Sequence, residues 1–227
     1  NAKGDLVIGG KKVKLTLVGE DDAADPKQGT TVAQKLVDEK VAAVVGHATS
    51  GVSIPANAVY SAAGVVQVSP SSTDPTYTLK SSKTPKGSVS SYRVVATDAQ
   101  QGPALAKYMI AKAVKTIALI DDSTQYGKGL ADQVEKTLKD NGVTVVAREA
   151  TTDKTSDFKA LLTKIKGMNP DYVFWGGMDD TGATLAKQLK ELGLNSKLAG
   201  ADGLCTEKFI ELSGAAGKGA VCSQAGM

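Results

Sequence analysis

The sequence predicts an α/β fold of two lobes, each a parallel sheet wrapped by helices. Three observations carry this. Short apolar runs at 41–45, 65–68, 116–120 and 171–175 alternate with longer segments of helical spacing. Such runs, unbroken at 41–45, suit strands buried on both faces of a parallel sheet. The runs end in small polar turns, among them Ser69-Pro70-Ser71-Ser72-Thr73, Asp121-Asp122 and Gly176-Gly177. The alternation then restarts after residue 98, so βαβ units fall into two lobes, 1–97 and 98–227.

In chain order, residues 1–10 read as a frayed helix end and a glycine turn. Residues 12–18 alternate, with Val13, Leu15 and Leu17 on one face, and predict a strand. Asp25-Pro26 reads as an N-cap followed by Pro at the first helical position, opening a helix that runs to about Glu39. After strand 41–45 comes a turn, 47–51, in which Ser50 is placed to cap a helix carrying Ile54, Ala58, Ala62 and Ala63. Strand 65–68 follows, then a polar loop with one helical turn over 74–91 and a strand at 92–95. Asp98 is placed to cap a helix over 102–113.

The second half has a strand at 116–120, a turn over 123–129 carrying Tyr126, and a helix over 130–141 closed by Gly142. Then come a strand at 143–147, a helix at 157–166, a strand at 171–175, a helix at 181–192 stopped by Gly193, and short strands at 198–201 and 220–223.

Composition narrows the function. Apolar residues make up 41% and charged residues 22%, which fits a globular chain. The net charge is only +3, and the sole arginines are Arg93 and Arg148, so there is no concentrated basic face for nucleic acid. No stretch approaches the ~18 apolar residues of a membrane span. The chain starts at Asn1 without Met, and the expectation is that a leader or more has been removed. Cys205 and Cys222 are read either as free thiols or as a disulfide closing a loop of about 17 residues, worth about 3 kcal/mol. The disulfide is the expected form, and it implies an oxidising compartment.

Enzymatic patterns are weak. His47 stands three residues from Ser50, too close in one turn to form a triad, and neither GxSxG, GxGxxG nor a Walker A pattern is present. The acidic pairs Asp21-Asp22, Asp121-Asp122 and Asp179-Asp180 suit Mg²⁺, but helix-start caps explain them more simply. No cofactor or metal is expected. What stands out is a set of small polar turns: Ser50 with Ser71-Ser72-Thr73 from the first lobe, and Tyr126, Met178 and Asp202 from the second. Hydroxyls beside a helix N-terminus suit a carboxylate. A lone opposing acid suits an ammonium, and Met and Tyr suit an aliphatic tail. A zwitterionic amino acid makes all three demands.

The ordered segments VVGHATSG, SPSSTDP, DAQQGPALAKY, DDSTQYGKGLA, DYVFWGG and GADG resemble the branched-chain amino-acid binding proteins, periplasmic solute receptors of ABC importers. The resemblance covers nearly the whole chain. It implies a two-lobe type I periplasmic binding protein fold that closes on its ligand, and delivery of a branched-chain or other neutral amino acid to a membrane permease, without catalysis.

On this resemblance Ser50 and Thr73 hold the ligand carboxylate. The Ser71 carbonyl, helped by Thr73, and the Asp202 carboxylate take the ammonium, while Tyr126 lines the cleft. Asp202 is shorter than the Glu often found there, and Met178 stands where tyrosine is common. Ala24 and Thr49 replace the family's first-lobe disulfide. The resemblance further implies that the family's first strand and helix and its C-terminal part are missing. Further polypeptide or a companion chain is then expected to complete the first lobe. A regulatory sensing domain on the same fold and a metal-dependent enzyme using the acidic turns are the alternatives.

Overall fold

A computed structural model describes residues 6–226. Residues 1–5, part of the expected helix end, lie outside the described residues. Residues 6–8, however, are a strand, β1 (Leu6–Ile8). It pairs antiparallel with β2 (Lys11–Val13) through Gly9 and Gly10, both at positive φ. A two-residue hairpin turn needs that backbone at both positions, and glycine adopts it freely.

The strand expected over 12–18 ends at Val13. Leu15 and Leu17 are exposed, and residues 14–20 belong to no strand. Alternation alone cannot hold an extended segment that has neither a ladder partner nor a surface to bury its apolar face.

The first parallel sheet has the order β3-β4-β5, made of β3 (Ala43–Val45), β4 (Val66–Ser69) and β5 (Ser91–Arg93). Helix α1 (Pro26–Asp38) precedes it, with the Asp25 carboxylate accepting from the Gln28 N–H as a cap. Helix α2 (Ser50–Ala63) crosses from β3 to β4, and the short α3 (Thr76–Leu79) lies between β4 and β5. A small core of Val32, Leu36, Val44, Ala56 and Tyr60 joins α1 and α2 to the sheet. The run 41–45 is not the doubly buried strand its composition suggests: only Val44 is buried, and Val45 is 84% exposed. β3 pairs with β4 alone, and among the described residues no strand covers its outer edge.

The second sheet matches the expected pattern closely. Its order is β10-β9-β8-β6-β7, all parallel. The strands are β6 (Thr116–Asp121), β7 (Thr144–Ala150), β8 (Tyr172–Gly176), β9 (Lys197–Gly200) and β10 (Val221–Cys222). The helices are α4 (Asp98–Ala111), α5 (Gln125–Asp140), α6 (Lys159–Met168), α7 (Asp179–Glu191) and α8 (Glu207–Ser213).

Alternate residues of the central strands feed two cores. Ile117, Leu119, Tyr172 and Phe174 pack on one face with Leu105, Met109 and Leu130. Ala118, Ile120, Val173 and Trp175 pack on the other with Leu162, Leu185 and Phe209. That is why 117–120 and 172–175 are apolar: each residue has a helix layer to face.

Cys205 and Cys222 form a disulfide, tying the loop after β9 to β10. The 17-residue separation makes the crosslink worth about 3 kcal/mol by loop closure. The double variant Cys205→Ser/Cys222→Ser is therefore expected to unfold at a lower urea concentration than the oxidised protein. Coincident unfolding curves would show that the bond adds nothing.

Candidate ligand-binding site

The turns at the carboxyl ends of both sheets face each other across a cleft. This is where ligands of open α/β sheets bind. A cavity of about 510 Å³ lies there, with Gly51 and Ile54 of α2 on one side and Thr124, Tyr126 and Met178 on the other. A hollow of about 590 Å³ beside α8 and the disulfide contains none of the expected site residues. Tyr126 and Met178 line the cleft cavity directly. Ser50, Thr73 and Asp202 are not in its wall, but they are joined to the same turns by the contacts that follow.

Ser50 does not cap α2. Thr49 occupies the N-cap and makes no side-chain cap bond, while Ser50 is the first helical residue. The buried Ser50 hydroxyl instead accepts from the Asp74 N–H at 3.1 Å, which ties the two first-lobe turns together. The Val52 and Ser53 amides both donate to the Thr49 carbonyl, whereas those of Ser50 and Gly51 have no protein acceptor among the described residues. The start of α2 thus offers free amides in the positive end of its dipole.

The turn after β4 is held from below. The Ser69 hydroxyl donates to the His47 carbonyl and accepts from the Ser72 N–H. The Ser72 hydroxyl meets that of Ser53 at 2.6 Å, and its carbonyl accepts from Arg93, so the framework engages Ser72. The exposed Ser71 hydroxyl donates to the Ala48 carbonyl at 2.6 Å, while its own carbonyl has no protein donor among the described residues. Thr73 is fully buried, its hydroxyl lacks a hydrogen-bond partner, and its N–H is unclaimed among the described residues. An unspent buried hydroxyl is costly unless something arrives to use it.

On the opposite side, Thr124 caps α5 by accepting from the Gly127 N–H, so the expected 123–129 turn is already helical from Gln125. A Cβ at Gly127 would overlap the Gly176 carbonyl and the Asp122 carboxylate, so glycine lets α5 start tight against the end of β8. That placement aims Tyr126, whose hydroxyl donates to Asp202 at 2.8 Å and accepts from the Gly203 N–H at 2.9 Å. Burial, then the charge of Asp202, raises the Tyr126 pKa well above its ordinary value, so the hydroxyl stays a donor.

The Gln101 amide donates to the same Asp202 oxygen at 2.7 Å. Asp202 is thereby fixed through Oδ1, while its Oδ2 has no protein donor among the described residues. Met178 sits at the N-cap of α7, and its carbonyl accepts from the Trp175 indole.

Two residues of this constellation escape a reading of the sequence. Gln101 falls in a helix and carries no motif signal. Asp98 was expected as a cap, but the cap is Thr97, paired with Gln100 in a capping box. The spacing Thr97-x-x-Gln100 is the signal that would have moved the cap to Thr97 and left Asp98 unassigned. Asp98 is fully buried, and burial, then Asp202 and Asp74, pushes its pKa up to about 7. The Thr73 hydroxyl is near enough to oppose the rise, but neither it nor either Asp98 oxygen has a partner of good hydrogen-bond geometry.

The acidic turns and the histidine serve the framework. Asp121 pairs with Arg148, Asp122 accepts from Thr124, Asp179 from Thr206, and Asp22 meets His47 Nδ1 at 2.6 Å. His47 Nε2 lies 3.1 Å from the Tyr60 hydroxyl. Among the described residues no group of three potential ligands could hold a metal ion.

Residues 1–227 match the family model described as periplasmic binding protein. The chain belongs to that family. The chain is 38% identical over 226 residues to the Leu/Ile/Val-binding protein BraC3 of Rhizobium johnstonii, covering 99% of this chain and 59% of that protein. Among solved structures it is similar to the branched-chain amino acid transporter substrate binding protein LivJ of Streptococcus pneumoniae in complex with isoleucine. The TM-score is 0.79 at 29% identity, covering 90% of this chain and 56% of that one. The leucine-binding protein LivK of Thermotoga maritima gives a TM-score of 0.82 at 26% identity, covering 91% and 57%. This chain therefore spans a little over half the length of each. The expectation of a companion chain completing the first lobe finds no support in these relatives.

Proposed function

We propose that the protein is a periplasmic receptor that captures a branched-chain or other neutral amino acid and delivers it to the permease of an ABC importer. Lobes 1–97 and 98–227 would close on the ligand, and the permease would read the closed state. The observation that carries this reading is the separation of unspent polar groups. The free amides of α2 and the N–H of Thr73 suit a carboxylate, while the Ser71 carbonyl, the Thr73 hydroxyl and the second oxygen of Asp202 suit an ammonium. Ile54, Tyr126 and Met178 leave an apolar space for the side chain. The role is binding without catalysis, in keeping with what the relatives bind: BraC3 is a Leu/Ile/Val-binding protein, and LivJ is in complex with isoleucine.

A thermal-shift panel of neutral amino acids on the full-length protein tests this. A ligand at 100 times its Kd adds about 2.7 kcal/mol to stability, which shows as a clear rise in Tm. No rise with leucine, isoleucine, valine or any smaller neutral amino acid would reject the reading.

A further inference from the structure

One buried acid stands beside both halves of the proposed site without a role in it. The Asp98 N–H donates to the Thr73 carbonyl at 2.9 Å, so the two side chains spring from the same corner of the cleft. Neither carboxylate oxygen has a partner of good hydrogen-bond geometry; the Thr73 hydroxyl is the nearby donor, and it only partly offsets the cost of burial. The ionisable groups that face Asp98 are Asp74 in the turn after β4, Arg93 on β5, Tyr126 on α5 and Asp202 in the turn after β9. Of these only Arg93 is cationic, and it is already engaged by the carbonyls of Ser72 and Asp74 and by the Thr78 hydroxyl. A carboxyl in that setting is more stable neutral than charged.

The cation able to reverse this is the ligand's own. On the amino-acid reading, its ammonium sits between Thr73 and Asp202, the two site residues that Asp98 faces. An opposite charge within about 4–6 Å favours the ionised form of a carboxyl by roughly one to three pKa units.

We propose that amino-acid capture is coupled to proton release from Asp98. Below neutral pH the empty cleft holds the side chain as the carboxylic acid; the arriving ammonium converts it to the carboxylate, and the proton passes to solvent. The inference rests on the amino-acid reading and adds to it a pH-dependent affinity. Binding strengthens by about tenfold per pH unit through the window below 7 in which the liganded cleft is ionised and the empty one is not. Above that window affinity is flat.

The test is calorimetric titration of the full-length protein with leucine, isoleucine and valine in two buffers of different ionisation enthalpy. At about pH 6 the heats should differ by an amount equal to release of roughly one proton per ligand, and at about pH 8.5 they should converge. In Asp98→Asn the heats should coincide at both pH values and the affinity should lose its slope. Binding with identical heats at the lower pH overturns proton release while leaving the receptor reading in place. Proton release that persists in Asp98→Asn removes Asp98 as its source. No heat at either pH with any of the three amino acids counts against the receptor reading itself.

Discussion

Asp202→Ala is expected to abolish capture of neutral amino acids. Removing one partner of a desolvated charge pair costs about 2–5 kcal/mol, which is a loss of at least ~30-fold in affinity. The geometry separates this from a folding defect. Oδ1 of Asp202 is the oxygen that Tyr126 and Gln101 hold, and Oδ2 is the one left for a ligand. Alanine removes both, leaving the Tyr126 hydroxyl and the Gln101 amide short of an acceptor at about 1–3 kcal/mol.

Asp202→Asn keeps the side-chain shape and one carbonyl acceptor while deleting the charge. It should keep a near-native Tm and still bind at least tenfold more weakly. Isothermal titration beside thermal unfolding reads both quantities. Wild-type affinity in Asp202→Asn would take Asp202 out of the ammonium pocket.

How far the sequence speaks depends on whether a residue's role is local. The runs at 116–120 and 171–175 announce β6 and β8 because both faces of each strand meet a helix layer supplied by the same stretch of chain. Caps and turns are equally local, and Asp25 behaves as its spacing predicts. Val45 and the 14–18 segment do not, because their burial would depend on a neighbour across the sheet that local pattern cannot supply.

The site is readable only in part for the same reason. Tyr126, Met178 and Asp202 stand out as polar or sulfur-bearing residues in turns after strands, and the structure brings Tyr126 and Asp202 into direct contact. Ser50 sits where it was expected, but it bonds the neighbouring turn instead of its own helix, and that partner is 24 residues away. Gln101 reaches Asp202 across 101 residues. No spacing rule links such a pair; only the folded arrangement of α4 beside the end of β9 does.

Asp98→Asn should stabilise the empty protein at neutral and alkaline pH and leave it little changed in acid. The sign follows from where the proton sits. In the unfolded chain Asp98 titrates near its ordinary 3.8, and in the folded chain near 7. Below about pH 4 both states are protonated, and the acid adds no pH-dependent term. Between about pH 4 and 7 the unfolded chain gives up its proton and the folded one keeps it, so stability falls as pH rises. Above 7 the loss is constant, at most about 4 kcal/mol for a shift of roughly three units.

Asparagine cannot titrate, so the variant's advantage in urea midpoint should open across that window and then stay level. A difference between the two proteins that does not vary with pH would mean that Asp98 titrates alike in the folded and unfolded chains. A buried, unpartnered acid is poor material for a stable fold, and Asn would serve the start of α4 as well. On the amino-acid reading, its presence beside Thr73 and Asp202 is explained by the ammonium that the cleft would receive.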